Sequence, residues 1–172
     1  MKLRRYRKRF HGFCVYVKGG ETMKAVATVL SNNLLLRAQQ ENIKVTPMKL
    51  QKLLYYVCVK YAKETGEIPI SEPFEVWQYG PVVPSVYQEF KSFRSAGINK
   101  FARDAKGEVS VVDEDSSPIL TDCINFVWSR LKNFNGIELG QRTHQKGSGW
   151  YSAYQRDDEI ITLEDMKDDT TI

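Results

Sequence analysis

Cysteine and histidine are scarce. The 172 residues hold three cysteines and two histidines. Cys14, Cys58 and Cys123 are odd in number and no two stand at C-x-x-C spacing, which excludes a zinc knuckle and a thioredoxin-like redox pair. A reduced, cytoplasmic setting fits. With only His11 and His144 as imidazoles, and no H-E-x-x-H, a dedicated transition-metal site is excluded and no cofactor is expected. No apolar run approaches the roughly 18 residues of a membrane-spanning helix, so no membrane partner is expected. There is no Walker loop, no G-x-G-x-x-G and no internal repeat. Enzyme chemistry has one weak candidate, His144 as a general base oriented by Asp157, Asp158 or Glu159. Nothing beside it specifies a nucleophile: Ser148 lacks an elbow motif. The chain is therefore not read as an enzyme.

What is present suits one globular domain. Apolar types make up 42% and charged types 27%. The net charge of +4 is unevenly spread. Residues 1–22 carry seven of the 25 Lys and Arg and one of the 21 acids, so the remaining body is net −2. A nucleic-acid reading would rest on that basic arm alone. Residues 1–23 are taken as an N-terminal extension, and Met23 as an alternative start. Lys18-Gly19-Gly20-Glu21 can be encoded by a strong bacterial ribosome-binding sequence placed just upstream of Met23.

The body has helical periodicity. Val26, Leu30, Leu34 and Ala38 form an i+4 row, predicting a helix over 25–41. Thr46-Pro47 is a cap followed by an N1 proline. Leu50, Leu53, Leu54, Val57, Cys58 and Tyr61 then mark an amphipathic helix that Gly66 ends. Residues 74–79 alternate as a short strand closed by Gly80-Pro81, and Pro84 opens a third helix. Residues 98–117 have the weakest pattern, with 109–112 expected to pair with 74–79. Ser117-Pro118 starts a helix through Leu131, which Asn135-Gly136 breaks. A short helix follows to about His144, then an aromatic turn at Trp150, Tyr151 and Tyr154. Thr162 with Asp165 caps a last turn. The expected fold is mainly α: about six helices with a two-stranded insert over 24–167, and a frayed acidic tail over 168–172. Cys58 and Cys123, on apolar helix faces, read as buried thiols.

Three strings recur in a recognisable order: 48–56 (Met-Lys-Leu-Gln-Lys-Leu-Leu-Tyr-Tyr), 74–87 (around Trp77-Gln78-Tyr79-Gly80-Pro81-Val82), and 139–144 with Trp150. Together they resemble the Panacea, or SocA-like, antitoxin domain, often carried on prophages. The family often has proline before the last tryptophan, where this chain has Gly149. The resemblance implies an antitoxin with a cognate toxin encoded beside it. It would act by direct binding or as an adaptor delivering the toxin to an ATP-dependent protease. The alternative is a phage-associated DNA-binding regulator, with Lys49, Lys52, Lys60 and Lys63 meeting phosphates. Since the body is net acidic, nucleic acid is not an expected partner.

Among the motif residues, Leu50 and Leu53 read as core. Gln51 and Tyr55 belong to the same string. Lys49 and Lys52 are expected in solvent or paired with acids. Trp77 and Tyr79 share a strand face, either against the helices or as aromatic anchors for a partner. Gly80 and Pro81 shape the turn. Thr143, His144 and Trp150 fit a hydrogen-bonded clasp or a binding role. The partner-binding candidates are Trp77, Tyr79, Pro81, Tyr87, Thr143, His144 and Trp150.

Overall fold

The computed structural model describes residues 24–172 and the backbone of 14–16. The rest of the basic arm, and with it the question of the start at Met23, lies outside the described residues. Among the described residues, seven α-helices and five short strands follow in the order β1 (Cys14–Tyr16), α1 (Ala27–Gln40), α2 (Pro47–Thr65), β2 (Phe74–Trp77), β3 (Gly80–Val82), α3 (Pro84–Phe90), β4 (Ser110–Val112), α4 (Pro118–Leu131), α5 (Gly136–Thr143), α6 (Gly149–Gln155), β5 (Ile160–Ile161) and α7 (Leu163–Lys167). The fold is mainly α, as expected.

Helix ends follow local chemistry. The Thr46 side chain accepts from Lys49 N at 3.3 Å, and Gly66 closes α2 at φ 73° in the left-handed region. There a side chain would be strained. Thr162 and Asp165 form a reciprocal capping box on α7. Asn135, expected only to break a helix, caps the next one through a box with Glu138. α1 begins at Ala27, and its first amide is capped from a distance by the Glu72 carboxylate at 3.0 Å.

α2 is the centre of the molecule. Every residue from Lys49 to Val59 is buried. α1, α3, α4, α5, α7 and β3 pack around it. Over this stretch the amphipathic pattern is therefore misleading: the polar residues Lys49, Gln51 and Lys52 are covered too. Lys49 and Lys52, expected in solvent or paired with acids, are 4% and 1% exposed. Neither meets a carboxylate; both amines donate to backbone carbonyls.

The sheet differs from expectation. β2 pairs antiparallel with β3 and with β5, giving the order β3-β2-β5. β4, expected beside 74–79, pairs instead in parallel with β1. The reason lies on α1, where Asn32 and Asn33 are each 1% exposed. The Asn32 side chain donates to Ala102 O and Ser110 O and accepts from Ala102 N. The Asn33 side chain brackets Val112 by its N–H and C=O. These bonds hold β4 against α1, away from β2.

The expected frayed tail is docked. Asp169 is 1% exposed. One carboxylate oxygen accepts from Tyr55 OH at 2.7 Å and Gly149 N at 2.9 Å. The other accepts from the amide and hydroxyl of Thr171. Four donors on one carboxylate offset the cost of burying it.

Candidate functional site

The motif string on α2 acts as a row of inward hooks. The Lys49 amine reaches Lys132 O at 2.5 Å and Lys44 O at 3.3 Å, satisfying a carbonyl at the C-terminal end of α4. Gln51 brackets Val83, donating to its carbonyl at 3.1 Å and accepting from its amide at 2.9 Å. Lys52 donates to Pro81 O at 3.0 Å. Tyr55 holds Asp169. Leu50 and Leu53 are core, as expected. The string thus ties the return strand of the β2–β3 hairpin and the tail to the central helix.

Lys52 has an unusual environment. Burial pushes its amine down to about 7 from the ordinary 10.5. No acid offsets the lost hydration. Gly80, at φ 100°, lies directly above it: a Cβ there would come within 2.8 Å of the Lys52 amine and 2.7 Å of Thr143 Oγ1. Glycine is required at this position by both space and conformation. Lys49 is also pushed down by burial.

The second motif forms the hairpin and the third pins it. The Trp150 indole donates to Trp77 O at 3.1 Å. His144 sets Nδ1 at 2.6 Å from Gly140 O and Nε2 at 3.0 Å from Gln78 O. Its ring lies on Trp150 at 4.0 Å, and Trp150 stacks on Tyr154 at 4.8 Å. Thr143 Oγ1 donates to Gly140 O, and Ser148 Oγ donates to Thr143 O. His144 and Trp150 thus bond the hairpin carbonyls Gln78 O and Trp77 O, while Thr143 bonds Gly140 O within its own helix.

This geometry sorts the candidates. Pro81, Thr143 and Trp150 are buried and act from behind the surface. His144 is half-buried with both nitrogens engaged, and no contact joins it to Asp157, Asp158 or Glu159. Trp77 is half-buried, its indole on Glu75 at 2.7 Å and its ring edge-on to Tyr87 at 4.9 Å. Tyr79 is not on the strand with Trp77 but in the turn, and is 68% exposed. Tyr87, Tyr154 and Ile160 are also exposed. Among the described residues no three His, Cys, Asp or Glu side chains gather where a metal would fit. Cys58 and Cys123 are buried free thiols, and burial pushes both up.

A family model described as "Antitoxin SocA-like, Panacea domain" matches residues 50–151, more than half of the chain. The chain belongs to the SocA-like antitoxin, Panacea-domain family. Antitoxin SocA of Caulobacter vibrioides is 35% identical over 66 residues, spanning 38% of this chain and 35% of that protein. The likeness thus covers about a third of the relative's length. No solved structure matches. The Panacea span contains most of α2, the hairpin and the clasp. It leaves out Asn32, Asn33, Lys49 and Asp169.

Sequence reading passed over Asn32, Asn33 and Asp169, and placed Lys49 in solvent or beside an acid. An Asn-Asn pair inside an apolar helix was the available signal, because asparagine is a poor helix former without a partner. Asp169 offered none. Gly149, where the family often has proline, has a local reason here. Its N–H serves Asp169, and a Cβ would stand 2.5 Å from Asp165 O.

Proposed function

We propose that this Panacea-domain chain is an antitoxin that neutralises a cognate toxin by binding it directly through the hairpin face, without catalysis of its own. The observation that carries this reading is Tyr79. A large aromatic is 68% exposed at the tip of a hairpin whose backbone is held from behind by Lys52, His144 and Trp150. Such a ring is presented at little entropic cost, since its carrier is already ordered. Trp77 and Tyr87 extend the aromatic surface beside it, and residues of this type dominate binding hot spots. Near-complete silencing of a toxin calls for nanomolar affinity, worth about 12 kcal/mol. An interface of roughly 1,600 Å² is the usual size for such a complex. Action in the cytoplasm, where such a toxin would be made beside its antitoxin, fits this reading.

The DNA-binding alternative loses support: of its four lysines, Lys49 and Lys52 lie inside the molecule and Lys60 pairs with Glu64, which leaves only Lys63 exposed. Delivery to an ATP-dependent protease is the second mode, and the test separates it.

The neighbouring open reading frame is induced in a bacterial host with the wild-type chain, with Tyr79→Ala and with Tyr79→Phe. Wild type and Tyr79→Phe are expected to rescue colonies, and Tyr79→Ala to lose rescue with an unchanged melting temperature. Rescue by Tyr79→Ala equal to wild type would refute the hairpin face. A neighbour that kills despite wild-type co-expression would refute the pairing. A toxin half-life that shortens only when both the antitoxin and an active protease are present would assign delivery rather than occlusion.

A further inference from the structure

β4 is held along one side by side chains in place of a strand. Asn33 occupies the N–H and C=O of Val112, and Asn32 takes Ser110 O. Backbone groups alternate sides along a strand, so Val111 turns its N–H and C=O the other way. On that side lies β1, in parallel register: Cys14 beside Ser110, Val15 beside Val111 and Tyr16 beside Val112. A buried two-asparagine clamp therefore presents a short strand edge, and a segment of the chain itself shows what the edge accepts.

The pairing is small. Three residues match, and by strand alternation Val111 alone of β4 turns its backbone groups toward β1. So short a strand is easily exchanged. The surroundings also select. Asp113 and Asp115 follow β4, with Asp115 exposed; Glu114 between them is already paired with Arg37. In a parallel pairing the residues after the docked strand run toward this acidic end, so a basic residue following the strand would be favoured there.

We propose that the edge of β4 covered by residues 14–16 is a strand-docking site for an extended, apolar segment of a partner protein followed by a basic residue, and that residues 14–16 are its exchangeable stand-in. The mode is strand addition: main-chain bonds hold the segment, and the acidic end of β4 orients it. The inference rests on the reading that this chain works by binding a protein. It adds a second contact, on the opposite edge of β4 from α1, to the hairpin face.

The probe is a fluorescent peptide of residues 13–18 with serine for Cys14. Its anisotropy is followed with the full chain, wild type and Tyr16→Pro. Proline at 16 removes the N–H that residues 14–16 donate to β4 and so frees the edge. The expected result is at least tenfold tighter peptide binding by Tyr16→Pro, with the Val111 amide protected from exchange once peptide is bound. The same peptide with proline for tyrosine should bind neither protein. Equal binding by wild type and variant would overturn the proposal, as would equal binding of the proline peptide. An unfolded Tyr16→Pro would make β1 a structural strand, and a concentration-dependent wild-type dimer lost in Tyr16→Pro would make a second copy the occupant; either overturns it. If the peptide fails while the wild-type chain still rescues cells from its toxin, this inference falls and the antitoxin reading stands. If the peptide binds as expected while rescue fails, the reverse holds.

Discussion

Lys52→Met should abolish a rise in stability that the wild-type protein shows between about pH 6.5 and about pH 9.5. The Lys52 amine is 1% exposed and is pushed down to about 7 by burial. In the unfolded chain it titrates near 10.5, so between these values the unfolded state binds more protons. Stability must then increase with pH across the window, and is flat in this respect below about pH 7. The full difference corresponds to a ceiling of about 5 kcal/mol. Across the stated window the same linkage predicts a gain of about 3 kcal/mol. Methionine keeps an unbranched side chain of similar length but leaves Pro81 O unpaired, at a cost of about 1–3 kcal/mol. The variant should therefore be the more stable protein near pH 6.5, and its advantage should shrink by about 3 kcal/mol by pH 9.5. The comparison must be a difference between proteins, because other groups oppose the trend. Cys58, Cys123, Tyr55 and Tyr56 are all pushed up by burial. Each favours the unfolded state once pH passes its ordinary value, equally in both proteins. Urea denaturation at five pH values gives the curves. A wild-type minus variant difference that changes by less than about 0.5 kcal/mol over the window would refute the argument that burial pushes the Lys52 amine down.

Three further outcomes follow from the packing. Gly80→Ala places a Cβ within 2.7 Å of Thr143 Oγ1 at φ 100°, and should cost about 2–4 kcal/mol in denaturant titration and reduce rescue. Asp169→Asn replaces one of two acceptor oxygens, each serving two donors, by an NH₂ group; a loss of about 2–3 kcal/mol is expected, and Tyr55→Phe should cost about 1 kcal/mol, both read from melting curves. Asn32→Leu orphans the Ala102 amide and two carbonyls, so amide exchange at Ala102 should accelerate and protease nicking at 103–107 should appear while α2 stays protected.

Most helix positions were legible because caps are local. Thr46-Pro47, Gly66 and Thr162 with Asp165 state a start or a stop within four residues, and α2 and α7 begin and end accordingly. The hairpin could be read from alternation and Gly80-Pro81. The pairing of β4 could not: Val109 to Val112 would suit either edge, and Asn33 made the choice from α1. The third strand of the sheet, β5, has two residues and too little pattern to announce itself.

The candidate site divided in the same way. Motif strings placed Trp77, Tyr79, Gly80 and the Thr143, His144 and Trp150 clasp in one neighbourhood, and the structure brings them together. Sequence by itself determined the mainly helical fold, most helix starts and the family, because these depend on periodicity, caps and motif spacing along the chain; the expected aromatic turn at Trp150 is instead a short helix capped by Ser148. Only tertiary structure decided which polar residues are inside. Lys49, Gln51, Lys52 and Asp169 are types that normally face water. Their burial depends on carbonyls and amides delivered by Lys132, Val83, Pro81 and Gly149 from elsewhere in the chain. A polar side chain enters a core only where such partners converge, and that convergence is a property of the packed molecule.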